Sequence, residues 1–129
     1  MSFSRDIKKW TAKVELAANL VLRGTALDLA ASIIKRTPVD TGRLIGNWQT
    51  EINGFPTTEV NSTAGAAINK AKNVTSKAKA GDSIYIVNNL SYAPVIENGD
   101  AHREPVGMVR LTIQAFKRVV AANAKKARK

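Results

Sequence analysis

Cysteine is absent from this chain of 129 residues, and histidine occurs once, at His102. Without thiols the chain has no disulfides and no zinc–thiolate site. A single imidazole cannot build a histidine metal cluster. Aromatic residues make up only 5% of the sequence. Aliphatic side chains and alanine must therefore do most of the packing in any core.

Acidic residues are also scarce, because 20 Lys and Arg stand against 10 Asp and Glu and give a formal net charge of +10. Such a balance favours polyanionic partners or acidic protein surfaces. A solvated surface with basic helix ends explains the charge equally well.

The N-terminal region lacks the features of a signal peptide, since Asp6, Lys8, Lys9 and Lys13 interrupt any apolar stretch there. We also find no uninterrupted run approaching the roughly 20 apolar residues of a membrane span. The sequence therefore predicts a protein made in the cytoplasm that has no membrane partner.

Hydrophobic residues make up 44% of the chain, as in an ordinary globular protein. The length suits one domain with a real core, so we predict a single domain over residues 1–129. No internal repeat is visible.

A long helix is predicted from Ser4 to Arg36. Two apolar stripes follow helical spacing and exchange near Gly24. Three explanations stay open: a bend at Gly24, two buried faces of which one meets a neighbouring subunit, or one wide core-facing surface. The first stripe comprises Phe3, Ile7, Trp10, Val14, Ala17 and Val21, and the second Leu16, Leu20, Leu27, Ala31 and Ile34.

Pro38 should end this helix, because the residue before a proline avoids the α region. A turn at Asp40, Thr41 and Gly42 precedes a predicted strand over Leu44–Ile52, centred on Trp48. Asn53 and Gly54 form the next turn signal.

The middle of the chain carries the weakest signal. Residues Thr58–Ser62 are predicted to form a short strand. The basic, alanine-rich segment Ala64–Ala80 is either a loosely docked helix or a mobile insertion.

The run Ile84–Val87 predicts a strand, which Asn88 and Asn89 should break. Ser91 is placed to cap a short helix that has Pro94 in its first turn. Gly99 is expected to end that helix in the left-handed conformation.

A final helix is predicted from about Gly107, after Pro105. Its basic end suits the negative end of the helix dipole. One face carries a stripe of Val109, Ile113, Phe116, Val120, Ala124 and Ala127.

Only Asp40-Thr41-Gly42 resembles a catalytic motif, the D-T-G triplet of aspartic proteases. In those enzymes two such aspartates share a proton, and the triplet follows an apolar strand. Here it follows a predicted helix end. We therefore expect Asp40 to hold a turn through hydrogen bonds to the backbone, and we expect no enzymatic activity.

Three segments together resemble the tail-completion, or head–tail joining, proteins of tailed bacteriophages, which include the minor tail protein Z of lambda-like phages. They are TPVDTGRLIGNW (37–48), IYIVNNLSYAPVIENG (84–99) and PVGMVRLTIQAF (105–116). One departure lies between Gly99 and Gly107, where Asp100–Pro105 replaces the family's usual Ser, Gln and Ala-Pro. That departure leaves the loop's partner contacts open.

The resemblance implies an α+β fold, with long N-terminal and C-terminal helices packed on a small, mostly antiparallel sheet. It implies a non-enzymatic virion protein that forms a ring, of six copies, between tail and head. The implied partners are a tail terminator or tail tube protein, the head-completion or portal adaptor proteins, and phage DNA in the channel. The implied structural residues are Pro38, Asp40, Thr41, Gly42, Trp48, Asn88, Asn89, Tyr92, Pro94, Glu97, Gly99, Gly107 and Arg110.

Two further expectations concern assembly. A cation in the first turn of a helix is unfavourable, so we propose that Arg110 pairs with Glu97 across the bend. The alternative is that Arg110 points to solvent or to a neighbouring ring. The first helix should also contribute to contacts between subunits. The alternative function is that of a small basic nucleic-acid-binding protein.

Overall fold

A 34-residue helix, α1 (Phe3–Arg36), is the longest element of the computed structural model, which describes residues 3–39 and 41–128. The predicted long helix is thus confirmed. Its end is fixed by Thr37, whose N–H donates to Ile34 O at 3.1 Å and whose hydroxyl donates to Ile33 O at 2.7 Å. Pro38 follows directly, so the helix cannot continue.

The predicted strand over residues 44–52 is wrong in its first half. A short helix, α2 (Arg43–Gly46), precedes the strand β1 (Trp48–Ile52). Leu44 and Ile45 are buried in that helical turn. The sequence pattern assigned these two residues to the strand, because a short apolar run has no periodicity that separates a helical turn from a strand.

The sheet has two antiparallel strands, β1 and β2 (Ile84–Asn88), in a register that pairs Trp48 with Asn88 and Ile52 with Ile84. The strand predicted at 84–87 is therefore confirmed. Asn53 follows directly after the Ile52–Ile84 pair at the end of the sheet and adopts a φ of 58°. Its amide N–H donates to Ser83 O, and its side-chain oxygen accepts from Ser83 N.

The middle segment forms a docked helix, α3 (Ala64–Thr75), which ends five residues before the predicted Ala80. Its N-cap is Thr63, whose hydroxyl accepts from Ala66 N at 3.1 Å. Ala67, Ala71 and Thr75 are buried on the face toward the core. The helix is therefore closely packed rather than loosely docked, because small side chains allow close approach.

The short strand predicted at 58–62 is absent. Side chains hold this extended segment in place of a β ladder. Thr58 O accepts from Gln49 Nε2 at 2.8 Å, and Val60 N donates to Asn47 Oδ1 at 2.8 Å.

Three helices complete the chain: α4 (Ala93–Asn98), α5 (Met108–Gln114) and α6 (Phe116–Ala127). The single final helix of the prediction is thus two helices, divided at Ala115. Ser91 does not cap α4, whose N-cap residue is Tyr92 without a side-chain bond. Gly99 has the expected positive φ, 76°, but its ψ of 176° is extended rather than left-handed.

The core lies where α1, α2, β1, α3, α4 and α5 meet. Ile34 and Met108 are its largest fully buried apolar side chains. The α+β class is confirmed, with helices packed on one small antiparallel sheet. The buried cluster comprises Ile33, Ile34, Leu44, Ile45, Trp48, Ala67, Leu90, Ala93, Ile96 and Met108.

Helix α1 continues without interruption through Gly24, where α6 packs closely against it. A Cβ at Gly24 would collide with the Asn123 side chain. Gly24 therefore serves the approach of α6 and does not break the helix.

By length and mean hydropathy, α1 passes the test for a membrane-spanning helix, although it contains no uninterrupted apolar run. The core helix of a soluble protein passes the same test. Two of its charged side chains are engaged within the domain. Arg23 Nε donates to Ala78 O at 2.6 Å, and Asp28 Oδ2 accepts from Asn123 Nδ2 at 2.9 Å.

Candidate assembly surface

The T-P-V-D-T-G segment connects α1 to the sheet through one buried hydrogen bond. Trp48 Nε1 donates to Thr37 Oγ1 at 2.8 Å, and both residues are buried. Pro38 is exposed beside them. Trp48 is therefore a core residue that fixes where the segment begins.

The turn itself is held locally. Thr41 Oγ1 accepts from Arg43 N at 3.3 Å, and Gly42 adopts a φ of 85°, where glycine is favoured. Asp40, the predicted holder of this turn, lies outside the described residues, so its role stays a prediction.

The two asparagines after β2 connect distant segments. Asn88 Nδ2 donates to Leu44 O at 2.9 Å, and Asn88 Oδ1 accepts from Leu90 N at 3.2 Å. Asn89 Nδ2 donates to Pro56 O at 3.0 Å and Thr58 O at 3.1 Å. Both side chains thus form hydrogen bonds with backbone carbonyl and N–H groups that are not paired within the sheet.

Glu97 caps α5 from the preceding helix. Its Oε1 accepts from Val109 N and its Oε2 from Arg110 N, both at 2.9 Å. Its backbone oxygen accepts from Gly107 N at 3.1 Å. A carboxylate at the first turn of a helix satisfies free N–H groups and suits the dipole.

The predicted ion pair between Glu97 and Arg110 is wrong. Ion pairs form instead between Arg43 and Glu59 and between Lys70 and Glu51. The Arg110 side chain instead folds back beside Gly107. Sequence reasoning identified the correct carboxylate but assigned it to the guanidinium rather than to the backbone.

Glycine is required at both ends of the loop that brings Glu97 to α5. Gly107 is buried and has a φ of 69°. A Cβ at Gly99 would lie 2.7 Å from Arg103 O and from Pro105 N. Tyr92 is half-buried against the core and Pro94 is exposed in the first turn of α4.

The N-terminal part of α1 projects from the rest of the chain. Residues 4–16, which we call the arm, form thirteen consecutive exposed positions. Ile7, Trp10 and Val14 recur on one face of it, and Trp10 is 66% exposed. This face belongs to the first predicted stripe, and its three residues lie outside the monomer's core.

An open apolar groove of about 590 Å³ begins where the arm ends. Val21 of the first stripe lines it together with Phe116 and Val120 of the C-terminal stripe. Two periodicities that the sequence displayed separately therefore meet at one surface. The other lining residues are Ala18, Leu22, Thr25, Ala26, Leu29, Ala80, Gly81, Asp82, Ile84 and Ile86.

Polar groups are few in this groove, and two are notable. Thr25 is buried, and its hydroxyl has no hydrogen-bond partner among the described residues. Asp82 is the one charged lining residue. The N–H of Lys79 and the side chain of Asn53 donate to its carboxylate and lower its pKa below the ordinary 3.8. The carboxylate is therefore ionised at neutral pH.

No group of three or more His, Asp or Glu side chains suited to a metal ion occurs in the described ranges. Comparisons with protein-family models, curated proteins and solved structures found no match.

Proposed function

We propose that this chain is a structural virion protein of a tailed bacteriophage. It forms a ring at the head-proximal end of the tail, completes the tail and joins it to the head connector around the DNA channel. The observation that carries this proposal is a pair of exposed apolar surfaces, the arm and the groove.

Further support comes from the segments that resemble the head–tail joining proteins. Segments 37–48 and 84–99 meet through the bond between Asn88 and Leu44 O. Segments 84–99 and 105–116 meet where Glu97 caps α5. The three segments that carry the resemblance therefore form one continuous structural unit, in which side chains of one segment hydrogen-bond the backbone of another.

The effect of salt on this positively charged protein distinguishes the proposed function from nucleic-acid binding. Copies with a net charge of +10 repel one another, so added salt should strengthen a ring held by apolar contacts. Binding to DNA phosphates should instead weaken steeply with salt, because binding releases counterions. We expect self-association that increases between low and moderate salt, and DNA binding too weak at physiological salt to account for the function.

The decisive experiment is deletion of the gene in the virus that encodes this chain. Electron microscopy of the lysate should show filled heads and finished tails that have not joined, and supplying the protein in trans should restore whole virions. Normal virions from the deletion strain would refute the proposal. Tight, sequence-independent DNA binding that falls steeply with salt, with no self-association, would favour the alternative.

A further inference from the structure

The chain exposes more surface than a compact monomer of its mass. Its accessible surface is 8637 Å² for 13.9 kDa. Surface-to-mass scaling gives about 6,700 Å² for such a monomer, a surplus of about 2,000 Å². A standard interface buries about 800 Å² on each partner, and a ring subunit makes two. The surplus is therefore of the size that two interfaces require.

The arm and the groove match in length and chemistry. Ile7, Trp10 and Val14 span about two helical turns, or roughly 10 Å. The groove follows α1 from Ala18 to Leu29, which is roughly 16 Å on the same measure. A helix can thus lie along it with its apolar face covered.

Charge also favours the arm as the occupant. The arm carries Arg5, Lys8, Lys9 and Lys13 against Asp6 and Glu15, which gives it a net charge of +2, and all six lie outside its apolar stripe. The one charged residue that lines the groove is the carboxylate Asp82. A basic amphipathic helix therefore suits this groove better than an acidic one.

A chain cannot fill its own groove with its own arm. Both belong to α1, which runs unbroken from Phe3 to Arg36, and the floor of the groove is formed by the same helix. Folding the arm back would break the helix between Leu16 and Ala18. The occupant must therefore come from another molecule, and each additional copy carries a suitable arm.

We propose that the arm of one copy docks in the groove of the next copy, head to tail. Each subunit then gives one arm and receives one, and the contact closes into a ring if the rotation between subunits allows it. This inference rests on the proposed ring and identifies its interface.

The first test uses two single variants and sedimentation velocity over a concentration series. Trp10→Glu places a charge on the apolar face of the arm, and Phe116→Glu places one in the groove. Each should weaken association by about 30-fold or more, as loss of a central aromatic contact does. Ala12→Glu on the arm and Ala121→Glu on α6 are matched controls at exposed positions outside the stripe and the groove lining, and should assemble normally.

The second test mixes the two defective variants. Trp10→Glu retains an intact groove and Phe116→Glu an intact arm, so the mixture should form heterodimers and nothing larger. Circular dichroism should show both variants folded. Association of either variant alone as strongly as the wild type would overturn the inference, as would a mixture that stays monomeric.

Other occupants are outcomes of the same experiment. Wild-type protein that remains monomeric at all concentrations, but binds anionic phospholipid vesicles through Trp10, would assign the arm to a membrane instead. A wild-type assembly that stops at the dimer would replace the head-to-tail contact with reciprocal exchange.

The virus separates failure of this inference from failure of the proposed function. If gene deletion leaves heads joined to tails, the proposed function fails whatever the variants do in solution. If deletion prevents joining but Trp10→Glu and Phe116→Glu both restore it fully, only the arm-in-groove interface fails.

Discussion

Asn123 of α6 occupies the space that a side chain at Gly24 of α1 would fill. Its amide nitrogen donates to Asp28 Oδ2 and to Val119 O, both at 2.9 Å, and the residue is buried. Asn123 thus makes a polar contact between the two helices that depends on the missing Cβ of Gly24. It holds α6 against the part of α1 that lines the groove.

Gly24→Ala should accordingly destabilise the protein, although alanine is the better helix former. The helix propensity gain is about 1 kcal/mol, whereas overpacking costs about 1–3 kcal/mol. Asn123 must also move and give up its bond to Asp28. Urea unfolding should therefore show a net loss of stability, which Asn123→Ala in the same chain partly reverses.

Gly65→Ala is the matched control, because this glycine also lies in a helix and a Cβ there would meet nothing closer than 4.0 Å. It should stabilise the protein by up to about 1 kcal/mol. Equal gains at Gly24 and Gly65 would contradict the packing role of Gly24.

The bond between Trp48 and Thr37 leads to a second prediction. Thr37→Val removes the acceptor and leaves the indole N–H buried without a partner, at a cost of about 1–3 kcal/mol. Trp48→Phe removes the donor as well as volume. In unfolding experiments the double variant should be more stable than the two single costs predict, because the first change makes the second less costly. Strict additivity would show that the bond contributes little.

The sequence predicted elements best where one period lasted for many residues. Helix α1 and strand β2 were found nearly to the residue, since their patterns are long or rich in β-branched residues. Helix α2 and the break at Ala115 were missed. Each spans only a few residues, which is too short for a periodic pattern to show.

The candidate surface was predictable in parts. The first stripe of α1 and the C-terminal stripe were both visible in the sequence. Glu97 was also singled out as a residue that contacts the first turn of α5. What spacing could not give is that Val21, Phe116 and Val120 share one groove, because that depends on how α6 crosses α1. The role of Glu97 as a cap was likewise hidden, since backbone N–H groups carry no residue identity.

Asp82 should make stability depend on pH in the acid range. Its pKa is lowered in the folded state by donation from the Lys79 N–H and from Asn53. The stabilisation is therefore complete above the ordinary value of 3.8 and is lost as pH falls through the lower folded pKa. The stability difference between the wild type and Asp82→Asn should be largest above about pH 5 and shrink in more acid solution.

Titration of the Asp82 carboxyl by NMR measures the same effect directly. Asn53→Ala removes one donor and should move this pKa part of the way back toward 3.8. A stability difference that grows as the solution is acidified would contradict the assignment.

Glu97 provides the last prediction, which concerns the junction of α4 and α5. Glu97→Ala leaves the N–H groups of Val109 and Arg110 without their acceptor, and should cost about 0.5–2 kcal/mol, as loss of a helix cap does. Glu97→Gln keeps one side-chain oxygen and should lose less. Arg110→Ala should stay within about 0.5 kcal/mol of the wild type, because its guanidinium is not the partner.

The charge-reversed double variant separates the cap from an ion pair. Arginine at position 97 has no acceptor for the two N–H groups, so Glu97→Arg with Arg110→Glu should be at least as unstable as Glu97→Ala. The backbone amides of residues 109 and 110 should exchange hydrogen faster than in the wild type in Glu97→Ala and in the double variant. In Arg110→Ala their exchange should be unchanged. Recovery of wild-type stability by the double variant would mean that the two side chains pair after all. The Glu97 cap, however, accepts hydrogen bonds from backbone N–H groups, which every residue except proline carries. Exchanging the two side chains therefore removes the carboxylate from position 97 and puts no other acceptor there.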